Sequence, residues 1–311
     1  MFVLRGIAVS LTFFVLLYCL LSAGLVLAWR GVYLLRTSSR RRADLLFWLR
    51  IAPLLASAAV TIALVVPAYV QLEPRSIEED IALPLVLAFG CVSLFALGLF
   101  RVVKAHKKSA RVVQGWMNGA NLLDAETMAP TFQTTSEAPP LTLVGVCYPR
   151  VVVSQKTVTL LDKNELRVAV RHELAHMQFH DNLKKLAFYC APFPGMAELE
   201  SAWGEAAELA ADEEAVTSIH EALDLAAALI KLSRLIPPKT VPAFTMALVA
   251  GDRSLIQRVE RLLDWRDSKS RTHRARWGYS IPVFLATALI AVAADPAALA
   301  QIHRMTEWLV R

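Results

Sequence analysis

Three uncharged apolar runs, at about residues 7–29, 51–72 and 81–100, constrain the fold of this 311-residue chain most strongly. Each run is about as long as the roughly 20 helical residues that cross a hydrocarbon core. The first is too long for the apolar core of a signal peptide. The sequence therefore predicts three transmembrane helices within residues 1–100. A shorter run at 277–295 predicts a fourth.

The charges between these runs predict the orientation. Segments 30–50, 101–111 and 266–276 are rich in arginine and lysine, whereas segment 73–80 is mostly acidic. Loops rich in Lys and Arg stay in the cytoplasm, so we expect the N-terminus outside a bacterial inner (cytoplasmic) membrane. The net charge of +6 is concentrated in these loops and not in a stripe on a soluble domain. Direct nucleic-acid binding is therefore not expected.

Residues 101–276 then form one cytoplasmic domain, and residues 296–311 form a short extracytoplasmic tail. Asp162 and Glu165 make a capping box that opens a helix running to about His180. The other elements predicted in the domain are a basic helix at about 101–120, a loop at 124–140, strands at 141–147 and 151–154, and helices at about 196–219, 220–235 and 252–265.

Residues 172–176 read His-Glu-Leu-Ala-His, the pattern H-E-x-x-H, inside the predicted helix that opens at Asp162. Residues four apart share one helical face, so His172 and His176 can bind one metal ion. Zinc lowers the pKa of a bound water, and Glu173 can take its proton and pass it to the leaving amine. We therefore predict His172 and His176 as zinc ligands and Glu173 as the catalytic base. The alternative is a helix with two surface histidines and a glutamate.

Catalytic zinc sites take a third protein ligand and keep one position open for water. Glu208-Leu-Ala-Ala-Asp212 supplies such a ligand on another predicted helix downstream of the histidines. Glu208 is predicted to bind the metal, and Asp212, one turn later, to accept a hydrogen bond from His172. The pattern E-x-x-x-D is common on acidic helix faces, so this prediction depends on its pairing with H-E-x-x-H.

Together the motifs resemble the BlaR/MecR family of membrane zinc peptidases, which are gluzincins with a glutamate as third ligand. The resemblance runs from Gly145–Ser154 through the HELAH helix and the following His-Asp-Asn-Leu to Ser254–Leu263 (SLIQRVERLL). It implies a mostly α membrane protein with Zn²⁺ as cofactor. It also implies four transmembrane helices, with a cytoplasmic α+β gluzincin-like zinc peptidase domain inserted between the third and the fourth.

One departure from that family concerns sensing. Its prototypes carry a large extracellular penicillin-binding sensor after the fourth span, and residues 296–311 are far too few to fold one. We therefore do not expect this chain to sense β-lactams alone. A homodimer or a separate sensor protein remains open as a partner.

The resemblance implies a membrane-anchored endopeptidase in signal-dependent proteolysis, with a protein substrate such as a BlaI/MecI-type transcriptional repressor. A substrate strand would add to the edge of the 141–154 sheet, which gives backbone recognition with little sequence preference. Two alternatives remain: an HtpX-like quality-control peptidase, and a membrane signal transducer that does not cleave. Glu173 argues against the transducer, because a purely structural metal site needs no general base.

His180 is not expected to be a ligand. A metzincin site would need a glycine at position 179 and a histidine at position 182, where this chain has Phe179 and Asn182. We expect His180 and Asp181 to cap or orient the end of the helix instead.

Overall fold

The computed structural model describes residues 2–34, 37–74, 82–123, 130–134, 138–146, 148–235, 245–247, 252–266 and 295–310. Most of them are helical, and a small sheet accompanies the helices. Within this part of the chain, three helices are long and apolar enough to cross a membrane: Phe2–Gly31, Ser39–Leu72 and Ala82–Met117. The predicted fourth span at 277–295 lies outside the described residues except for Asp295.

The second apolar helix begins well before the predicted residue 51. Helix α1 (Phe2–Ala28) passes into a 3-10 turn, and α2 (Ser39–Val60) then starts where the Ser38 side chain accepts the Arg41 N–H. A π-helical turn at Thr61–Val65 joins α2 to α3 (Val66–Leu72). Pro67 is the second residue after that turn; because proline lacks an N–H, the regular hydrogen-bond ladder cannot continue through it.

The third apolar run and the basic helix predicted after it form one helix, α4 (Ala82–Met117). Apolar side chains of its first half, such as Phe89 and Leu99, face outward, as expected of a lipid-facing surface. The helix ends before Gly119, whose φ of +76° is the left-handed conformation that closes many helices.

A five-stranded sheet follows α4, in the order β1-β2-β4-β3-β5. Only β2 and β4 are parallel among the paired strands. The strands are β1 (Asn121–Leu123), β2 (Thr131–Thr134), β3 (Leu141–Val144), β4 (Arg150–Ser154) and β5 (Thr245–Ala247).

Two expectations about this sheet are wrong. Segment 124–140 is not all loop, because β2 lies within it and pairs with Val151–Ser154 of β4. The β3–β4 pair, which was predicted, is not at an edge: β5 pairs with β3 on the side away from β4. A short polar strand and a distant pairing partner leave no local sequence pattern, so neither was visible in the sequence.

Further helices follow the apolar ones, and α6 packs directly on the sheet. The predicted capping box is present at the start of α6, where Asp162 accepts the N–H groups of Asn164 and Glu165. The helices are α5 (Gln155–Leu160), α6 (Lys163–Gln178), α7 (Asp181–Cys190), α8 (Ala197–Ala215), α9 (Ile219–Ser233), α10 (Asp252–Leu263) and α11 (Pro296–Val310).

Helix α8 lies between the core of the domain and the apolar helices. On one side it packs against α6, which with α9 and the sheet encloses a core that includes Leu143, Val153 and Leu229. On the other side it packs along α2, in a second cluster that includes Leu46 and Trp203. The predicted metal-binding motifs on α6 and α8 are therefore held face to face.

Candidate metal centre

Helix α6 places its motif on its buried face. His172, Glu173 and His176 are all at most 1% exposed. The two imidazole rings lie nearly perpendicular, and their Nε2 atoms are 3.1 Å apart. Two ring nitrogens from successive turns thus point at the same place, as residues four apart on a helix permit.

Helix α8 brings Glu208 to the same point. Its Oε2 lies 3.5 Å from His172 Nε2, and its Oε1 lies 3.5 Å from His176 Nε2. The neighbouring residues of α8 are small and buried, including Ala207 and Ala211. Because these alanines have no bulky side chains, α8 can approach α6 closely enough for the carboxylate to reach both rings.

These spacings fit zinc. With Zn–N and Zn–O bonds of about 2.0–2.1 Å, the ligand atoms of a tetrahedral site lie about 3.3 Å apart. The two histidine Nε2 atoms lie 3.1 Å apart, and each lies 3.5 Å from an oxygen of Glu208, so the observed distances bracket that value. The donor set of two imidazoles and one carboxylate is that of a catalytic zinc site, which keeps a fourth position open.

Each imidazole is also contacted at its other nitrogen. His176 Nδ1 lies 2.8 Å from Asp181 Oδ2, and Lys184 Nζ lies 3.3 Å from the other oxygen of Asp181. His172 Nδ1 lies 2.9 Å from Asp212 Oδ1, although the angle is too bent for a straight hydrogen bond. A carboxylate at Nδ1 keeps the proton there and leaves Nε2 as the ligand atom.

Arg258 of α10 joins the two carboxylates of α8. Its Nε and Nη2 donate to the two oxygens of Asp212, each at 2.7 Å, and its Nη1 lies 2.9 Å from Glu208 Oε2. Burial raises the pKa of Glu208 and Asp212, but the guanidinium and the neighbouring histidines together outweigh it, so both pKa values lie below their usual range. Both carboxylates therefore stay ionised despite their burial.

The cluster attracts positive charge. Burial lowers the pKa of His176, but the carboxylates of Glu208 and Asp181 outweigh burial and raise this pKa to about 10. The same excess of negative charge that holds a proton on His176 would favour a metal cation in its place.

Glu173 has one fixed and one free oxygen. Its Oε2 accepts the backbone N–H of Leu143 at 2.7 Å, whereas its Oε1 is buried and has no hydrogen-bond partner among the described residues. Burial raises the pKa of this carboxyl, and the nearby histidines oppose that rise only in part. A carboxyl with a raised pKa and an unsatisfied oxygen beside a metal centre is suited to accept a proton.

Sequence reasoning missed two residues that support this centre. Asp181 was expected to cap or orient a helix end, yet it contacts His176, because His180 adopts a left-handed φ of +57° and turns the chain into α7. Arg258 had a sequence signal, since it is a basic residue among the core-facing positions Leu255, Val259 and Leu262 of α10. His180 itself is exposed, and its ring contacts the Gln178 carbonyl.

Comparison with known proteins agrees with this geometry. A family model described as BlaR1 peptidase M56 matches residues 78–262, which is more than half of the chain. The chain belongs to the BlaR1 peptidase M56 family. It is thus a membrane-associated metallopeptidase, and the M56 match spans every residue of the centre described above. No curated protein matches the chain.

Proposed function

We propose that this M56 peptidase is a zinc-dependent endopeptidase of the bacterial cytoplasmic membrane, with its metal centre on the cytoplasmic side. His172, His176 and Glu208 bind the zinc. Glu173 is the catalytic base, and Asp212 supports His172. The substrates are cytoplasmic or membrane-proximal proteins, and the role is signal-dependent proteolysis, for example of a BlaI/MecI-type repressor.

One observation carries the zinc assignment: two imidazole nitrogens of α6, 3.1 Å apart, meet the Glu208 carboxylate of α8, which has an oxygen 3.5 Å from each of them. One ligand atom from each of His172, His176 and Glu208 lies within 4.8 Å of the others. Buried groups of this kind need a partner, and a divalent cation satisfies all three at once.

The residues divide the chemistry between them. Zinc, when bound, polarises a carbonyl and lowers the pKa of water. The Leu143 N–H fixes Oε2 of Glu173, so Oε1 is the oxygen that accepts the proton. Because burial raises the pKa of this carboxyl, it can hold that proton and then give it to the leaving amine.

Contacts at the two ends of the apolar helices support the proposed orientation. At the metal-centre end, Arg30 and Arg50 pair with Glu198 and Glu200 of α8, at 2.6 and 2.8 Å. The basic segment predicted to be cytoplasmic thus contacts the peptidase domain, on the side where loops rich in Arg and Lys remain.

The opposite end gathers the acidic segment and α11. Arg5 near the start of α1 pairs with Glu73 after α3, and both side chains are 8% exposed. His303 of α11 lies 3.6 Å from the same carboxylate. Helix α10 lies at the metal-centre end, and α11, the next described helix, lies at this far end. This change of end supports the proposed fourth span between them.

Glu173→Gln tests the enzymatic proposal, because it removes the base and keeps the shape and the zinc ligands. We expect the purified variant to retain equimolar zinc and to lose about 10²–10⁴-fold in peptidase rate, the usual contribution of a general base. Cells with the wild-type chain should contain protein fragments that cells with Glu173→Gln lack. A variant that still produces every cellular effect of the wild type would favour the signal transducer that does not cleave.

The identity of the fragments separates the two peptidase roles. Cleavage of one small repressor, dependent on an inducing signal, supports signal-dependent proteolysis. Cleavage of many membrane proteins under stress would instead favour HtpX-like quality control.

Orientation has its own experiment. In a chain without native cysteines, Pro74→Cys should react with a membrane-impermeant thiol reagent in intact cells, and Thr37→Cys should react only after lysis. Both positions are exposed and lie at opposite ends of the second apolar helix. The inverse labelling pattern would overturn the proposed cytoplasmic location of the centre.

A further inference from the structure

Arg258 is a buried arginine beside the metal centre, and the proposed function gives it no role. It is 2% exposed, and an arginine in such surroundings costs desolvation energy unless its donors are satisfied. Three of its nitrogens contact carboxylate oxygens of Asp212 and Glu208 at 2.7–2.9 Å. The guanidinium is thus directed at the two acidic residues of α8 that face the histidines.

The contacts divide the oxygens of those residues. On Asp212, the guanidinium takes both oxygens, and the oxygen bound by Nη2 is also the one that lies 2.9 Å from His172 Nδ1. On Glu208, it forms an ion pair with Oε2 that lacks the geometry of a hydrogen bond, and Oε1 lies on the side of His176. A planar fork can hold Asp212 through two hydrogen bonds while its third nitrogen attracts Glu208, which the point charge of a lysine cannot do.

The helix that carries Arg258 is itself well anchored. Leu262, one turn later, is buried in the domain core, and α10 packs against α9. On the exposed side, Arg261 pairs with Glu213 of α8 at 2.5 Å, but this half-exposed ion pair adds little to the anchoring. The position of the guanidinium is therefore set by the fold and does not depend on a flexible side chain alone.

We propose that Arg258 is a positioning residue of the metal centre, which orients Glu208 as a ligand and Asp212 as the support of His172. The proposal rests on the proposed function, since it presumes that these residues bind zinc. It extends the centre beyond the two motif helices to α10, a third helix. The competing explanation is that Arg258 only neutralises buried negative charge.

Zinc affinity distinguishes the two explanations. If Arg258 only neutralised charge, Arg258→Lys would bind zinc like the wild type, and Arg258→Met would bind it more tightly because a cation next to the metal is gone. If Arg258 positions the carboxylates, both variants should bind zinc on the order of 10–100-fold more weakly, as loss of other supports of metal ligands does.

The measurement is chelator competition on the full-length chain in detergent, with Arg261→Met as the matched control on the same helix. We expect the control to stay within about twofold of the wild type, because its ion pair is half exposed. The visible spectrum of the cobalt-substituted chain provides a readout of ligand geometry. It should change in Arg258→Lys and not in Arg261→Met.

The outcomes are distinct. Unchanged zinc affinity and an unchanged cobalt spectrum in Arg258→Lys would overturn the positioning role, even if Arg258→Met does not fold. Tighter binding by Arg258→Met would overturn it as well. A wild-type chain that binds no zinc at all would instead contradict the proposed function.

Discussion

The two histidines of the centre are supported by different parts of the molecule. Asp212 lies against the ring of His172 and is bound in turn by Arg258. We call these three residues the first arm. All three side chains are buried, and the guanidinium binds the carboxylate through two hydrogen bonds of 2.7 Å. This arm lies entirely within the peptidase domain, on α6, α8 and α10.

His176 contacts Asp181, and Lys184 lies between Asp181 and Asp44. We call these four residues the second arm. The lysine contacts its two carboxylates at 3.3 Å, and Asp44 is 38% exposed. Asp44 lies on α2, one of the helices apolar enough to cross a membrane. The outer contact of the first arm is therefore short, bidentate and internal, whereas the outer contacts of the second arm are longer, weaker and connected to the apolar helices.

The largest predicted loss of zinc affinity is the same for the two arms. His172→Gln and His176→Gln each remove a proposed ligand, so each should lower zinc affinity by more than about 100-fold, beyond the usual effect of losing a supporting residue. Zinc content after dialysis against a weak chelator measures this. His180→Asn is the matched control and should keep wild-type zinc, because the His180 ring is exposed and asparagine also tolerates the left-handed φ of this position. Normal zinc in either ligand variant would remove the basis of the comparison.

The next prediction separates the arms. Asp212→Asn and Asp181→Asn should both weaken zinc binding, by about 10–100-fold. Only Asp212→Asn removes the ion-pair partner of a fully buried arginine, and breaking such a pair costs about 3–5 kcal/mol. The metal-free unfolding free energy, measured with denaturant, should therefore fall more in Asp212→Asn. Equal losses would show that the arms do not differ in strength.

Much of this centre was predictable from the sequence, because its main elements are local. The spacing of His172 and His176 on α6, and of Glu208 and Asp212 on α8, is a property of any helix. The capping box at Asp162 likewise depends on residues three apart. Fold features with local patterns, such as the β3–β4 pair and the three apolar helices, were predicted for the same reason.

The missed features depend on contacts between distant segments. Asp181 contacts His176 only because His180 reverses the chain between two helices. Arg258 is 46 residues from Asp212 in sequence, and β5 joins β3 from beyond α9. A pattern within one helix or strand carries no information on such approaches, so the second arm and the far end of the first were found only in the structure.

A smaller effect is expected at the far end of the second arm. Asp44→Asn removes one of the two carboxylates around Lys184, and the exposed ion pair is worth about 0.2–1 kcal/mol. We expect less than about a fivefold change in zinc affinity, well below that of Asp181→Asn. The control is Glu198→Gln, which breaks an exposed ion pair to Arg30 outside both arms. A loss as large as that of Asp181→Asn would mean that α2 fixes the centre directly.

The smallest effect should come from an ion pair on α6 itself that belongs to neither arm. Arg171 pairs with Glu221 of α9 at 2.6 Å, and Thr217 donates to the same carboxylate. Burial raises the pKa of Glu221, but Arg171 and Thr217 outweigh it, so the pKa lies below its ordinary value. The carboxylate therefore stabilises the fold at pH values above its unfolded-state pKa of about 4.3, and the contribution is lost as the pH falls through the folded-state value. Glu221→Gln should cost about 1 kcal/mol at pH 7, cost progressively less in acid, and leave zinc affinity unchanged. Denaturant unfolding at several pH values measures the loss of unfolding free energy and its decrease in acid. Chelator competition measures the zinc affinity. A zinc affinity reduced as far as in Asp181→Asn would show that the two arms are not the only supports of the histidines.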